Sequence, residues 1–239
     1  MSERRRYPSD LSHARWELVE PVLTAWRAER RGRGLHIGRP PDQDLRSLLD
    51  AVLYVNRTGI PWRYLPHDYP HWNTVYAYFA WWQEEGVFDQ LNSLLRRQVR
   101  RQEGREEEPT ACVIDSQSIK TSTNVLAHEQ GIDAGKKIVG RVAAEYPTVR
   151  KTWVDGGYRQ HLVEHAATLG IDMHVLRRDP TTRGFKVLPR RWTVERTLGW
   201  LARDYEARPH RSEAMIQLAM INLMPRRLTA EATLTWRDA

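Results

Sequence analysis

The chain has 239 residues, enough for one large domain or two small ones, and its 41% hydrophobic and 28% charged content excludes wholesale disorder. Its 37 Lys and Arg against 30 Asp and Glu leave a net charge of +7, and 32 of those cations are Arg, whose planar fork suits phosphate. A polyanionic partner is the leading expectation, against the bland alternative that Arg richness follows from genome base composition.

The first hundred residues read as helices. Trp16, Val19, Val22 and Leu23 form one apolar stripe, and Leu45, Leu48, Leu49, Val52 and Leu53 keep helical spacing until Gly59 and Pro61 end the run. Between the two stripes lies RAERRGRGLHIGRPP, a basic loop rich in Arg, Gly and Pro. Asn73 or Thr74 is expected to cap a third helix through VYAYFAWW, which Gly86 closes, and a fourth runs from about Phe88 to Arg101. The acidic stretch QEGREEEP, residues 102–109, marks a domain boundary. Beyond it TACVIDSQS, TVRKTWVDGG and GIDMHVLRR read as strands, with HLVEHAATLG linking the second to the third as a parallel βαβ unit. Helices over about 190–201 and 213–224 follow, and Pro225 is expected to stop the last. The fold class is therefore α+β or α/β, with a helical region over residues 1–105 and a strand-bearing domain over 106–239.

The single Cys112 excludes an internal disulfide and any Cys-based zinc site, which points to a reducing compartment. MSERRRYPSD has no apolar stretch behind its basic start, and no run approaches the roughly 18 apolar residues of a membrane span. A cytoplasmic protein with no membrane partner is expected.

Three carboxylates stand where chemistry gathers. Asp115 ends the first strand, Asp155 ends the second before a Gly-Gly turn, and Glu195 lies on a helix in RRWTVERTLGW. Three converging acids can hold two Mg²⁺ ions, with Mn²⁺ as an alternative, for in-line displacement at a phosphodiester. Each alone also has a plain reading, as a turn former or as a solvated helix residue paired with Arg191. HLVEH, residues 161–165, matches an inverted zinc-peptidase pattern, but no distant third ligand is marked and a surface helix explains it. His67 and His71 read as loop or capping residues. Tyr76, Tyr78, Phe79, Trp81 and Trp82 are expected to fill a core rather than stack on bases. The helix start at Trp72, Asn73 and Thr74 suits DNA contact, and Arg30, Arg31 and Arg33, with Arg4 to Arg6, either hold phosphates or form solvated tails.

Together VIDSQSIKT, DAGKKIVGR, TWVDGGYR and RRWTVERTLGWL resemble the DDE transposases of bacterial insertion sequences, in the group called insertion sequence family five. GRPPDQDLRSLLDAVLYVNRTGIPWRYLP and YPHWNTVYAYFAWWQEEGVFDQL resemble that group's helical DNA-binding region. The resemblance implies a ribonuclease-H-like catalytic domain with Asp115, Asp155 and Glu195 as the metal-binding acids and Arg191 approaching DNA. It also implies double-stranded DNA as partner, at terminal inverted repeats and at a target site, in a cytoplasmic, nucleoid-associated protein whose self-association into a homo-oligomer is left open. Two departures stand out. Relatives carry a β-hairpin and most of a helix where Arg141 here runs directly into Val142, and they continue further after Leu201. Two functions follow: a Mg²⁺-dependent transposase that cleaves and transfers strands, or a catalytically defective relative that only binds element DNA. Residues 1–105 are expected to bind the terminal repeat by themselves.

Overall fold

The computed structural model describes residues 5–34, 43–114, 134–155, 160–176 and 209–231. The chain divides into two units: residues 1–105 with 203–239, and residues 106–202. Each is described by itself.

Unit 1 is helical. α1, His13–Gly32, starts where Ser12 takes the Arg15 N–H on its side chain, and it buries Trp16, Val19, Leu23 and Trp26 along one face. α2, Leu45–Thr58, is capped by Asp44, whose carboxylate accepts from the Arg46 and Ser47 N–H groups at 3.2 and 2.9 Å. Gly59, at φ 68°, ends it by donating to the Val55 carbonyl, a left-handed cap that suits glycine. A short 3-10 turn, Trp62–Tyr64, leads to α3, Trp72–Glu84, and Gly86 at φ 70° turns the chain into α4, Val87–Gln102. Of the α3 aromatics, Tyr78, Phe79 and Trp82 are buried; Trp26 meets Trp82 edge-on at 5.9 Å. Core filling thus prevails over base stacking for these three.

Two local expectations change. The cap of α3 is His71, whose Nδ1 accepts the Asn73 N–H at 3.3 Å, so Asn73 and Thr74 lie inside the helix. Pro70 precedes it, and His71 holds the extended ψ of 134° that a cap needs while its ring supplies the acceptor. Pro225 does not end the last helix, which spans Pro209–Leu228 and is labelled α7 here. Proline removes one N–H and leaves its carbonyl usable: Pro225 accepts from both the N–H and the hydroxyl of Thr229.

α7 belongs to unit 1, which corrects the assignment of residues 106–239 to a single domain. Ala214, Leu218, Ile221 and Met224 repeat at helical spacing and enter the same core as Leu48, Leu53, Leu91 and Leu95. Asn56 and Asn92 donate side-chain N–H groups to the Met215 and Gln217 carbonyls, at 2.9 and 3.2 Å. At its far end Glu231 pairs with Arg15 at 2.8 Å. Burial, with Arg15 and Arg57 nearby, pulls the Arg226 pKa down to about 10.

Unit 2 is a small parallel sheet with helical crossovers. β1, Ala111–Ile114, is followed by α5, Ala134–Glu145; then come β2, Lys151–Asp155, α6, Gln160–Thr168, and β3, Asp172–Leu176. The order is β1-β2-β3, and α6 joins two neighbouring parallel strands. Ile114, Val139, Val154, Leu162, Ala166, Ile171 and Met173 form its core. α5 runs unbroken through Arg141 and Val142, the point where the resemblance leads one to expect a hairpin.

At the amino-terminal edge of this sheet Asp172 faces Lys151 at 3.3 Å and His174 at 2.8 Å. The hydrogen bond from His174, then Lys151, holds its carboxyl below the ordinary 3.8. A depressed acid contributes stability above its unfolded pKa and loses it as pH falls through the folded value. Unit 2 should therefore lose a small increment of stability below pH of about 4, and Asp172→Asn should remove that step. Melts recorded down the acid range check this, and identical acid profiles for both proteins would contradict it.

Candidate nucleic-acid interface and acidic strand edge

The two groups of residues expected to touch DNA lie at opposite ends of α3. At its start Asn73 is exposed and Thr74 half-buried. The Asn73 N–H is taken by His71 Nδ1, and the Thr74 and Val75 N–H groups by the His71 carbonyl at 2.9 and 3.2 Å. A ligand arriving here meets side chains rather than these backbone donors. The Trp72 ring packs against His71, at 5.6 Å, and under the Arg63 guanidinium, at 5.3 Å.

At the other end Glu85 gathers the arginines. Its Oε2 accepts from Trp26 Nε1 at 2.8 Å and Arg33 Nη2 at 2.9 Å, and its Oε1 accepts from Arg30 Nη1. Arg30 is only 7% exposed and sits 4.4 Å from the centre of the Trp81 ring, so its charge is neutralised within the fold. Burial, with Arg33 beside it, lowers its pKa. Arg33 is half-exposed and also approaches Glu29 at 3.7 Å, whereas Arg31 is exposed. Twelve residues of helix separate Asn73 from Glu85, about 18 Å at 1.5 Å per residue, so Asn73 and Thr74 do not converge with Arg30, Arg31 and Arg33.

The Glu85 node is not marked by any periodicity; its partners lie 52 to 59 residues away in sequence. A second such element is Arg211 of α7, buried over the Tyr76 ring at 4.7 Å. A conspicuous cluster of aromatics was the available signal for both, since aromatic rings and guanidinium groups pair readily.

In unit 2 the parallel register aligns the carboxyl ends of two strands. Ile114 is level with Val154, and these residues immediately precede Asp115 and Asp155 in sequence. Asp155 is the last residue of the central strand, at the edge where parallel α/β sheets collect ligands. Asp115, Glu195 and Arg191 lie outside the described residues, as does the Asp155 side chain. Among the described residues no group of three or more His, Cys, Asp or Glu side chains is placed to hold a metal, His161, Glu164 and His165 included.

Comparison with known proteins adds to this geometry. The DUF4096 family, described as "Putative transposase of IS4/5 family", matches residues 11–92, from α1 into α4. The chain is 31% identical over 107 residues to the "Insertion element IS402 uncharacterized 16.2 kDa protein" of Burkholderia cepacia, a match spanning 44% of this chain and 69% of that protein. No solved structure matches the chain. No helix among the described residues is long and apolar enough to cross a membrane.

Proposed function

The chain belongs to the IS4/5 family of transposase-related proteins, and from that premise we propose that it binds the terminal inverted repeats of an insertion element through unit 1 and breaks and rejoins DNA through unit 2. The observation that carries the catalytic part is the β1 to β2 register, which ends at Ile114 and Val154, one residue before Asp115 and Asp155. Neighbouring parallel strands that both run into an aspartate suit a ribonuclease-H-like carboxylate site.

In this reading Asp115, Asp155 and Glu195 hold Mg²⁺, or Mn²⁺, and Arg191 positions the DNA. When bound, the metal supplies positive charge against the phosphate and favours deprotonation of the attacking oxygen. The donor set suits it, since Mg²⁺ prefers carboxylate oxygens. The chain's own part in this reading is to present the carboxylates to the metal and to orient the duplex. Hydrolysis frees a 3′ hydroxyl, whose attack on target DNA forms a new phosphodiester and releases a target 3′ hydroxyl. Within unit 1, exposed Asn73 with Thr74 supplies polar contacts, and Arg31 and Arg33 supply charge. Arg30 contributes by holding α1 against the Glu85 turn.

The uninterrupted α5 favours a second reading, in which unit 2 has lost the hairpin and the protein binds element ends without cutting them. Cleavage of labelled terminal-repeat duplex with Mg²⁺ separates the two. The transposase reading expects nicking by the wild-type chain that disappears in Asp155→Asn while binding persists. Binding without nicking supports the second reading, and equal affinity for terminal and random duplex would sink specific recognition in both.

A further inference from the structure

We propose that unit 1 meets duplex DNA on one composite face made by the amino-terminal arm, Arg5 and Arg6, and the segment from Pro61 to Asn73, with Arg5, Arg6 and Arg63 on phosphates and Tyr64 packed against the backbone sugars. This deepens the DNA-binding reading above and rests on it.

The arm is pinned to that segment. Tyr7 stacks on Tyr69 at 5.4 Å, meets Tyr54 edge-on at 4.8 Å, and donates its hydroxyl to Asp68 at 3.2 Å. Asp10, 5% exposed, accepts the Tyr7 N–H at 2.9 Å and the Tyr69 hydroxyl at 2.7 Å. Arg5 and Arg6 are exposed, and at most two residues, about 7 Å of extended chain, separate them from this anchor. They are therefore held beside the Pro61 to Asn73 segment.

The segment is anchored to the helical core at Trp62, Leu65 and Tyr69 and leaves Arg63 and Tyr64 exposed. Trp62 packs on Tyr76 and Phe79, at 5.3 and 5.1 Å, and Leu65 is buried. The Tyr64 and Leu65 N–H groups close the turn on the Pro61 and Trp62 carbonyls, at 2.8 and 3.1 Å. Two anchors point inward, so Tyr64 between them stays 74% exposed, while most other rings of unit 1 are buried or half-buried. A large ring kept in water on a fixed turn loses little conformational freedom on binding. Arg63, exposed, lies over Trp72 at the start of α3, so the turn and Asn73 share one surface. Asp68 is the sole acid between Pro61 and Asn73, and it accepts the Tyr7 hydroxyl. Three arginines and two histidines, His67 and His71, against one carboxylate complement a polyanion rather than a neutral or acidic protein surface.

The test uses the full chain and a mixed-sequence duplex, with affinity measured across a KCl series. Each phosphate contact contributes about 0.9 to the slope of log affinity against log salt. Arg63→Ala should lower the slope by about 1 and the Arg5→Ala/Arg6→Ala double variant by about 2. Tyr64→Ala should weaken binding about fivefold at fixed salt without changing the slope. Arg150→Ala, an exposed arginine of unit 2, is the charge-matched control and should leave the slope unchanged. Wild-type binding with unchanged slopes in the Arg63 and double variants overturns this face and leaves the DNA-binding reading standing. Absence of duplex binding by the wild-type chain at low salt overturns both.

Discussion

A fragment of residues 1–105 is expected to melt without cooperativity, because it lacks the helix that completes its own core. α7 contributes Ala214, Leu218, Ile221 and Met224, all buried among Leu48, Leu53, Leu91 and Leu95. Burying a side chain the size of Leu, Ile or Met stabilises by about 1.5 to 3 kcal/mol, so the three large ones contribute roughly 5 to 9 kcal/mol. A whole domain has about 5 to 15 kcal/mol in hand. The fragment also loses the Asn56 and Asn92 bonds to α7 and the partner of the buried Arg15 guanidinium, Glu231. Its DNA affinity should fall with its fold, against the expectation that residues 1–105 suffice. Joining residues 1–105 to 203–239 through a flexible Gly/Ser linker should restore a cooperative thermal transition. If the short fragment alone melts as sharply and as high as the joined one, α7 is an accessory and the reasoning fails.

The second large effect is expected at Glu85. Replacing it with Ala leaves the Arg30 guanidinium buried without its carboxylate and strands the Trp26 Nε1–H donor. Removing one partner of a buried ion pair costs about 3 to 5 kcal/mol, because the remaining charge is desolvated and uncompensated. For a unit of this size that is a fall in Tm of roughly 10 °C or more. Arg33, half-exposed, should add little. The cost comes from the orphaned charge rather than from the lost attraction, so Glu85→Ala combined with Arg30→Met should recover most of the loss. A Tm for Glu85→Ala within a degree or two of wild type would show that water reaches Arg30 freely.

How much of this was legible in the sequence depended on the range of the interaction. α2 could be read closely, because Leu45, Leu48, Leu49, Val52 and Leu53 mark one face and Gly59 supplies the left-handed cap. The βαβ link through α6 was legible for the same reason, as a helix-period run between two short apolar strands. The α7 stripe announced a buried face but not its destination: periodicity tells which side of a helix avoids water and nothing about what covers it. Its return to unit 1 depends on contacts made more than a hundred residues away in sequence. Asn73 and Thr74 were preferred as the cap of α3 because they belong to the usual set of capping side chains, whereas the position falls to His71, which the sequence offered only as a loop or capping residue. At the candidate sites, Asp155 was placed at a strand end by its Gly-Gly context, and the β2 strand ends there. Asp115 and Glu195 lie beyond the described residues. Arg30 illustrates the opposite limit: an arginine in a basic run looks solvated until a carboxylate 55 residues away and two indole rings are known to surround it.

The division of unit 1 between two stretches of chain sets a timetable for its folding during synthesis. α4 ends at Gln102 and α7 ends at Leu228, so 126 further residues must be made before the last wall of the core is complete. At about 5 to 20 residues per second this takes roughly 6 to 25 s, far longer than the microseconds in which helices form. Throughout that interval the faces of α2 and α4 that will receive Leu218 and Ile221 stand open to water. A nascent chain in this state is a substrate for chaperones that hold apolar surface, and ribosome stalling anywhere in unit 2 would prolong the exposure of a unit whose first four helices are already complete.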